Sequence, residues 1–209
     1  MSLPLSHLHP APRPLLPLPG GLGLGLLRGR LHEVCGAARW TLAAMLMAAD
    51  AGAVVWVLPG WLAERPYPTG LADFADPGRV VFARGRRPED LLWAGEEALR
   101  SGAVPLVLID LAEPPGLTPV RRLHLAAEAG AAAARNQGRA APTGVLITPG
   151  AGGAQGVESR WQMTAAPSAS TLLDRHAAWL LTRLRARMEP PATWALHMGA
   201  GGAITGQKA

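Results

Sequence analysis

The residues best suited by type and spacing to do chemistry lie at Gly36-Ala37-Ala38-Arg39-Trp40-Thr41. A loop that cradles phosphate needs glycines, so that backbone N–H groups can turn toward phosphate oxygens. It also needs a lysine for the β- and γ-phosphates and a Ser or Thr for Mg²⁺. Gly36 and Thr41 match, but the second glycine and the lysine are missing, and the segment is about two residues short of the pattern. Lys208 is the only lysine in the chain, so no phosphate loop of this kind stands anywhere in it. Arg39 could meet a phosphate, although a surface arginine beside a packed Trp40 is the plainer reading. No cofactor is expected.

Other candidates are weaker. Asp110 ends an apolar run, where α/β sheets often place an acid that organises Mg²⁺; strand-end aspartates also cap loops. Gly150-Ala151-Gly152-Gly153-Ala154-Gln155-Gly156 superficially resembles a dinucleotide fingerprint, but no helix follows it to face a pyrophosphate, so a flexible loop is expected. The six histidines show no HxxxH or HExxH spacing, and no GxSxG elbow is present, so neither metal nor Ser-His-Asp chemistry is indicated. Cys35, the single cysteine, excludes an internal disulfide and reads as a buried thiol. Toward the C-terminus, Trp179, Arg183, Arg185, Arg187 and Trp194, with Arg160 and Trp161, could form a basic aromatic face for a partner or nucleic acid. On a strand, Arg183, Arg185 and Arg187 share one face, expected to be exposed. Charges that guard a sheet edge explain them equally well.

Alternating elements must position these groups. Apolar runs at 31–35, 53–58, 79–83, 104–111 and 143–148 predict strands, several of them buried on both faces. Between them, 41–50 predicts a helix from its Ala/Met/Leu content. Pro88, Glu89 and Asp90 open a second helix, which Arg100 and Gly102 close. A third runs from Thr118-Pro119, with Thr118 as its cap, to about Ala134. Strands alternating with helices predict an α/β fold: a mostly parallel sheet flanked by helices. The segments 159–166, 177–188 and 193–198 predict antiparallel strands at one edge, although 177–188 would also line one face of a helix, the second reading.

The 209 residues suit one domain, expected over 21–199, with a Pro-rich flexible leader over 1–20 and a flexible tail over 200–209. Hydrophobic content is 49% and charged content 17%, the balance of a folded chain. The net charge of +5 comes almost wholly from arginine, so the pI of about 10.9 overstates any tendency to bind nucleic acid. The N-terminus lacks a basic region before an apolar stretch and is broken by prolines, which predicts neither a signal peptide nor a membrane span. A cytoplasmic location is expected.

Five segments together resemble the ImuA family of inducible-mutagenesis proteins, relatives of RecA often labelled SulA-like or SOS cell-division inhibitors. They are LLRGRLHEVCG (26–36), RRPEDLLWAGEEALRSGAVPLVL (86–108), RRLHLAAEAG (121–130), SRWQMTAAPS (159–168) and WLLTRLRARMEPPATWAL (179–196). The resemblance implies a RecA-like core. It also implies work beside an ImuB-type polymerase-like protein and an error-prone replicative-type DNA polymerase in translesion synthesis, with RecA as a further possible partner. DNA contact would be indirect or weak. RecA-type ATPases carry the phosphate loop where Gly36–Thr41 stands and a catalytic glutamate after the next strand. Here that strand runs into Pro59-Gly60-Trp61, and the first acid is Glu64. The resemblance thus points to a non-enzymatic accessory protein. A division inhibitor, a modulator of RecA filaments and a nucleotide-binding switch stay open as alternatives.

Overall fold

The central predicted apolar runs become strands because both of their faces find something apolar to cover, whereas the 79–83 run becomes a strand that stays largely exposed. In the computed structural model, which describes residues 14–62, 64–167, 177–199 and 201–209, a nine-stranded sheet carries the fold. The strands are β3 (Leu31–Cys35), β4 (Val54–Pro59), β5 (Val80–Gly85), β6 (Leu106–Asp110), β7 (Thr143–Ile147), β8 (Ser159–Ala166), β9 (Ala178–Ala186), β10 (Ala192–Met198) and β11 (Ile204–Lys208). A small separate hairpin, β1 (Leu15–Pro17) with β2 (Gly25–Leu27), precedes them. The order across the large sheet is β11-β10-β9-β8-β3-β7-β6-β4-β5. Neighbours from β8 to β5 are parallel, and β8 to β11 pair antiparallel. The architecture is therefore the expected one: a mostly parallel α/β sheet flanked by helices, with antiparallel strands toward the C-terminus.

Strand alternation divides the core in two. On one face Val34, Trp56, Leu108 and Ile147 pack with α1 (Arg39–Ala48), the β1–β2 hairpin and the C-terminal strands. On the other, Leu31, Val57, Ile109 and Leu146 pack under α3 (Pro88–Ser101) and α4 (Leu117–Asn136). A short α2 (Pro68–Ala72) lies between β4 and β5. α3 starts and stops where its residues dictate. Pro88 opens it, the Asp90 carboxylate accepts the Arg87 backbone N–H, and Gly102 closes it at φ +60°. A Cβ at Gly102 would sit 2.4 Å from the Gly130 carbonyl oxygen, so both its backbone and its neighbour require glycine.

Several expectations need correction. The 200–209 tail supplies β11, because β10 would otherwise leave its backbone groups unpaired. The 1–20 leader ends earlier than expected: Leu16 and Leu18 are buried against the core, while residues 1–13 lie outside the described residues. Thr118 is not the cap of α4; the helix starts two residues sooner, at Leu117, with Gly116 at the cap position. Segment 177–188 is the expected strand, from Ala178 to Ala186, but β8, antiparallel to β9 as expected, pairs with β3 in parallel. To achieve this, residues 148–158 carry the chain from the end of β7 back to the start of β8 without a helix.

Candidate functional site

β3, β6 and β7 deliver Gly36, Asp110 and Thr148 to one end of the sheet, with β7 between the other two. Gly36 has φ +92°, and a Cβ there would lie 2.3 Å from the Met163 carbonyl oxygen, so only glycine fits. The amides that a phosphate loop would aim at an anion are directed elsewhere. Gly36 N–H donates to Gly150 O at 2.9 Å, Ala38 N–H to Met163 O at 3.0 Å, and Arg39 N–H to Gly36 O at 3.3 Å. α1 then begins at Arg39 without any side-chain cap. Thr41 is half-buried in its first turn.

Arg39 lies across Trp40, its guanidinium carbon 5.5 Å from the ring centroid, with Nη1 donating to Gly36 O at 3.4 Å. Its Nε is buried without a hydrogen-bond partner. Asp110 is buried, and burial pushes its carboxyl up to about 6. The positive field of Arg39 opposes that rise, as does the neighbouring Trp40 indole N–H, although this closes no hydrogen bond of good geometry. Glu64 adds to the rise, so the structure brings Gly36, Arg39, Asp110 and Glu64 into one neighbourhood. A carboxyl at about 6 is still mostly ionised at neutral pH. Asp110 faces an arginine and a tryptophan, which suits a structural carboxyl.

Glu33 was not anticipated. It is fully buried in β3, and Oε1 accepts from Thr148 Oγ1 at 2.7 Å, Gly153 N–H at 2.9 Å and Ala154 N–H at 3.1 Å. Oε2 is ion-paired with the Arg160 Nε. The Gly150–Gly156 segment is thus a pinned crossover, contrary to the flexible loop expected. A connection that crosses a buried sheet face without secondary structure must find acceptors for its amides, and Glu33 provides them. The sequence signal was available: a carboxylate within the apolar run LHEVC is seldom buried unless paired. Burial and the neighbouring Glu33 together raise the Cys35 thiol to about 12, which leaves it inert.

A second polar chain was equally hidden, since its members lie 127 residues apart. His32 Nε2 faces Leu27 O at 3.0 Å, so it carries the proton; Nδ1 then accepts from Ser159 Oγ at 2.7 Å. Ser159 Oγ in turn accepts the Trp161 indole N–H at 2.8 Å. Burial holds His32 down at about 4, and every polar atom of the chain has a partner. It is a satisfied core network. Beside it, the anticipated basic aromatic face is not a surface. Trp179 and Trp194 are buried, and Arg183 is only 6% exposed. Arg183 lies 5.6 Å from the Trp161 ring centroid and 5.2 Å from that of Trp194. It donates through Nε to Pro190 O at 3.0 Å and pairs with Glu189. Its strand face points into the core for most of its length, so Arg185 and Arg187 alone of the trio are exposed.

No protein-family model and no curated protein matches the chain. Among solved structures it is similar to SulA from Pseudomonas aeruginosa, with 16% sequence identity and a TM-score of 0.44, over 57% of this chain and 98% of that one. Among the described residues, no helix is long and apolar enough to cross a membrane, and no three or more His, Cys, Asp or Glu residues group to hold a metal ion.

Proposed function

We propose that this chain is a non-enzymatic accessory protein of damage-induced mutagenesis, built on a degenerate RecA-like core. It acts beside an ImuB-type polymerase-like protein and an error-prone replicative-type polymerase. The observation that carries the reading is the commitment of the Gly36, Ala38 and Arg39 amides to protein carbonyls. A triphosphate would have to displace Gly150 and Met163 to be cradled there, with no lysine to compensate. The five family-like segments support the partners; they fall on β3, α3 to β6, α4, β8 and β9 to β10.

Two measurements test the reading. Titration with Mg-ATP in a calorimeter is expected to give no saturable heat, and micromolar binding abolished by Arg39→Ala would overturn the non-enzymatic part. Co-purification with the ImuB-type protein is expected, and it should weaken on charge reversal at Arg185 and Arg187, the exposed arginines of β9 and its turn. Absence of any complex, with or without DNA, removes the assignment to the mutagenic polymerase.

A further inference from the structure

The two outer edges of the large sheet differ in kind. β11 presents Thr205, Gln207 and Lys208, polar side chains of the sort that discourage strand addition. β5, at the other end, has no strand beyond it among the described residues and exposes Val81 (58%) on one sheet face and Phe82 (41%) on the other. Phe82 leans on Trp56 at 6.3 Å between centroids and helps form the wall of an apolar cleft of about 540 Å³. Leu58 and Tyr67, itself 73% exposed, complete that wall, with Arg65 and Arg84 at its rim. At the end of the same strand, Trp61 and Arg86 line a second cleft of about 530 Å³ toward α3. Arg65, Arg84 and Arg86 are exposed and make no ion pair among the described residues.

A bare strand edge flanked by side-chain clefts is the arrangement that binds extended peptides by strand addition, where backbone bonds supply affinity and alternate side chains supply choice. The rim of unpaired arginines selects for carboxylates. It also disfavours a second copy, because two β5 edges would bring like charges together. We infer that the β5 edge docks an extended acidic segment of a partner protein, with one aromatic or large aliphatic side chain seated between Tyr67 and Phe82. This docking mode does not depend on which complex the protein serves.

The test is selection of displayed random ten-residue peptides on the full chain, with no polymerase component present. Enrichment of sequences holding several Asp or Glu around one large apolar residue is expected. Phe82→Ser should weaken the selected peptides at least about tenfold, while an Arg65→Glu, Arg84→Glu double variant should select Lys- and Arg-bearing peptides instead. That swap of preference distinguishes docking from damage to the fold. The inference is overturned by enriched peptides without acidic residues, by equal binding to Phe82→Ser, or by no enrichment at all. Concentration-dependent dimerisation abolished by Phe82→Ser, without peptide enrichment, would reassign the edge to a second copy.

Discussion

Asp110 and His32 are two titratable groups whose burial favours their uncharged forms, and their effects on stability run in opposite directions. The Asp110 carboxyl is raised to about 6 from 3.8. Its contribution is therefore fully present below pH 3.8 and lost as pH rises through 6, leaving a buried charge that costs about 3 kcal/mol above pH 7. His32, lowered to about 4 from 6.5, contributes above pH 6.5 and loses that contribution as pH falls toward 4. Asp110→Asn removes the first effect and leaves the second. By urea unfolding it should be more stable than the parent by about 1–3 kcal/mol at about pH 7.5, with the gap shrinking toward about pH 4.5. No gain at the higher pH means that Arg39 and Trp40 hold the carboxylate better than its burial suggests. Many arginines behind the basic composition are equally structural. Arg28 pairs with Asp50 at 2.6 Å, Arg79 donates to the Met47 carbonyl in the last turn of α1 and to the Gly52 carbonyl beyond it, and Arg160 and Arg183 are committed as described. Those arginines are committed inside the fold, whereas Arg65, Arg84, Arg86, Arg185 and Arg187 stay exposed.

At the scale of elements, one carboxylate gathers most of the side-chain bonds that hold the crossover from β7 to β8. Glu33 holds the Gly153 and Ala154 amides, the Thr148 hydroxyl and the Arg160 guanidinium at once. Glu33→Gln keeps the size of the side chain but strands Arg160 and replaces one acceptor oxygen with a donor. A loss of about 2–4 kcal/mol is expected, with faster amide hydrogen exchange at 150–156 and little change in α3. Exchange unchanged in that segment would show that the glycine turns hold the crossover unaided. The α3 helix was legible in full, because Pro88, the first-turn acids and Gly102 act on their own backbone. The crossover was not, because Glu33 and Ala154 are 121 residues apart and meet only once β3 lies beside β7. The same distance hid Arg183: strand periodicity put it on a face with Arg185, but only pairing with β8 and β10 put Trp161 and Trp194 around it.

For the molecule as a whole, strand order decides which groups reach one end of the sheet and which strand is left at its edge. Alternating apolar runs and helix signals specified the α/β class, the run of parallel strands and the antiparallel C-terminal segment, because periodicity and caps are properties of neighbours in the chain. The single lysine, at position 208, excluded a working phosphate loop on composition alone. What the amino acids did not specify by themselves was where the spare amides of Gly36 and Ala38 would go, which carboxylates would be buried, or that the last residues would close one edge while β5 stayed bare. For Gly36, Ala38 and Glu33 the partners lie more than a hundred residues away, and which strands end at the edges follows from sheet order. The tertiary structure alone shows that the Gly36–Thr41 loop is tied down by its neighbours and that exposed apolar surface has gathered at an outer strand.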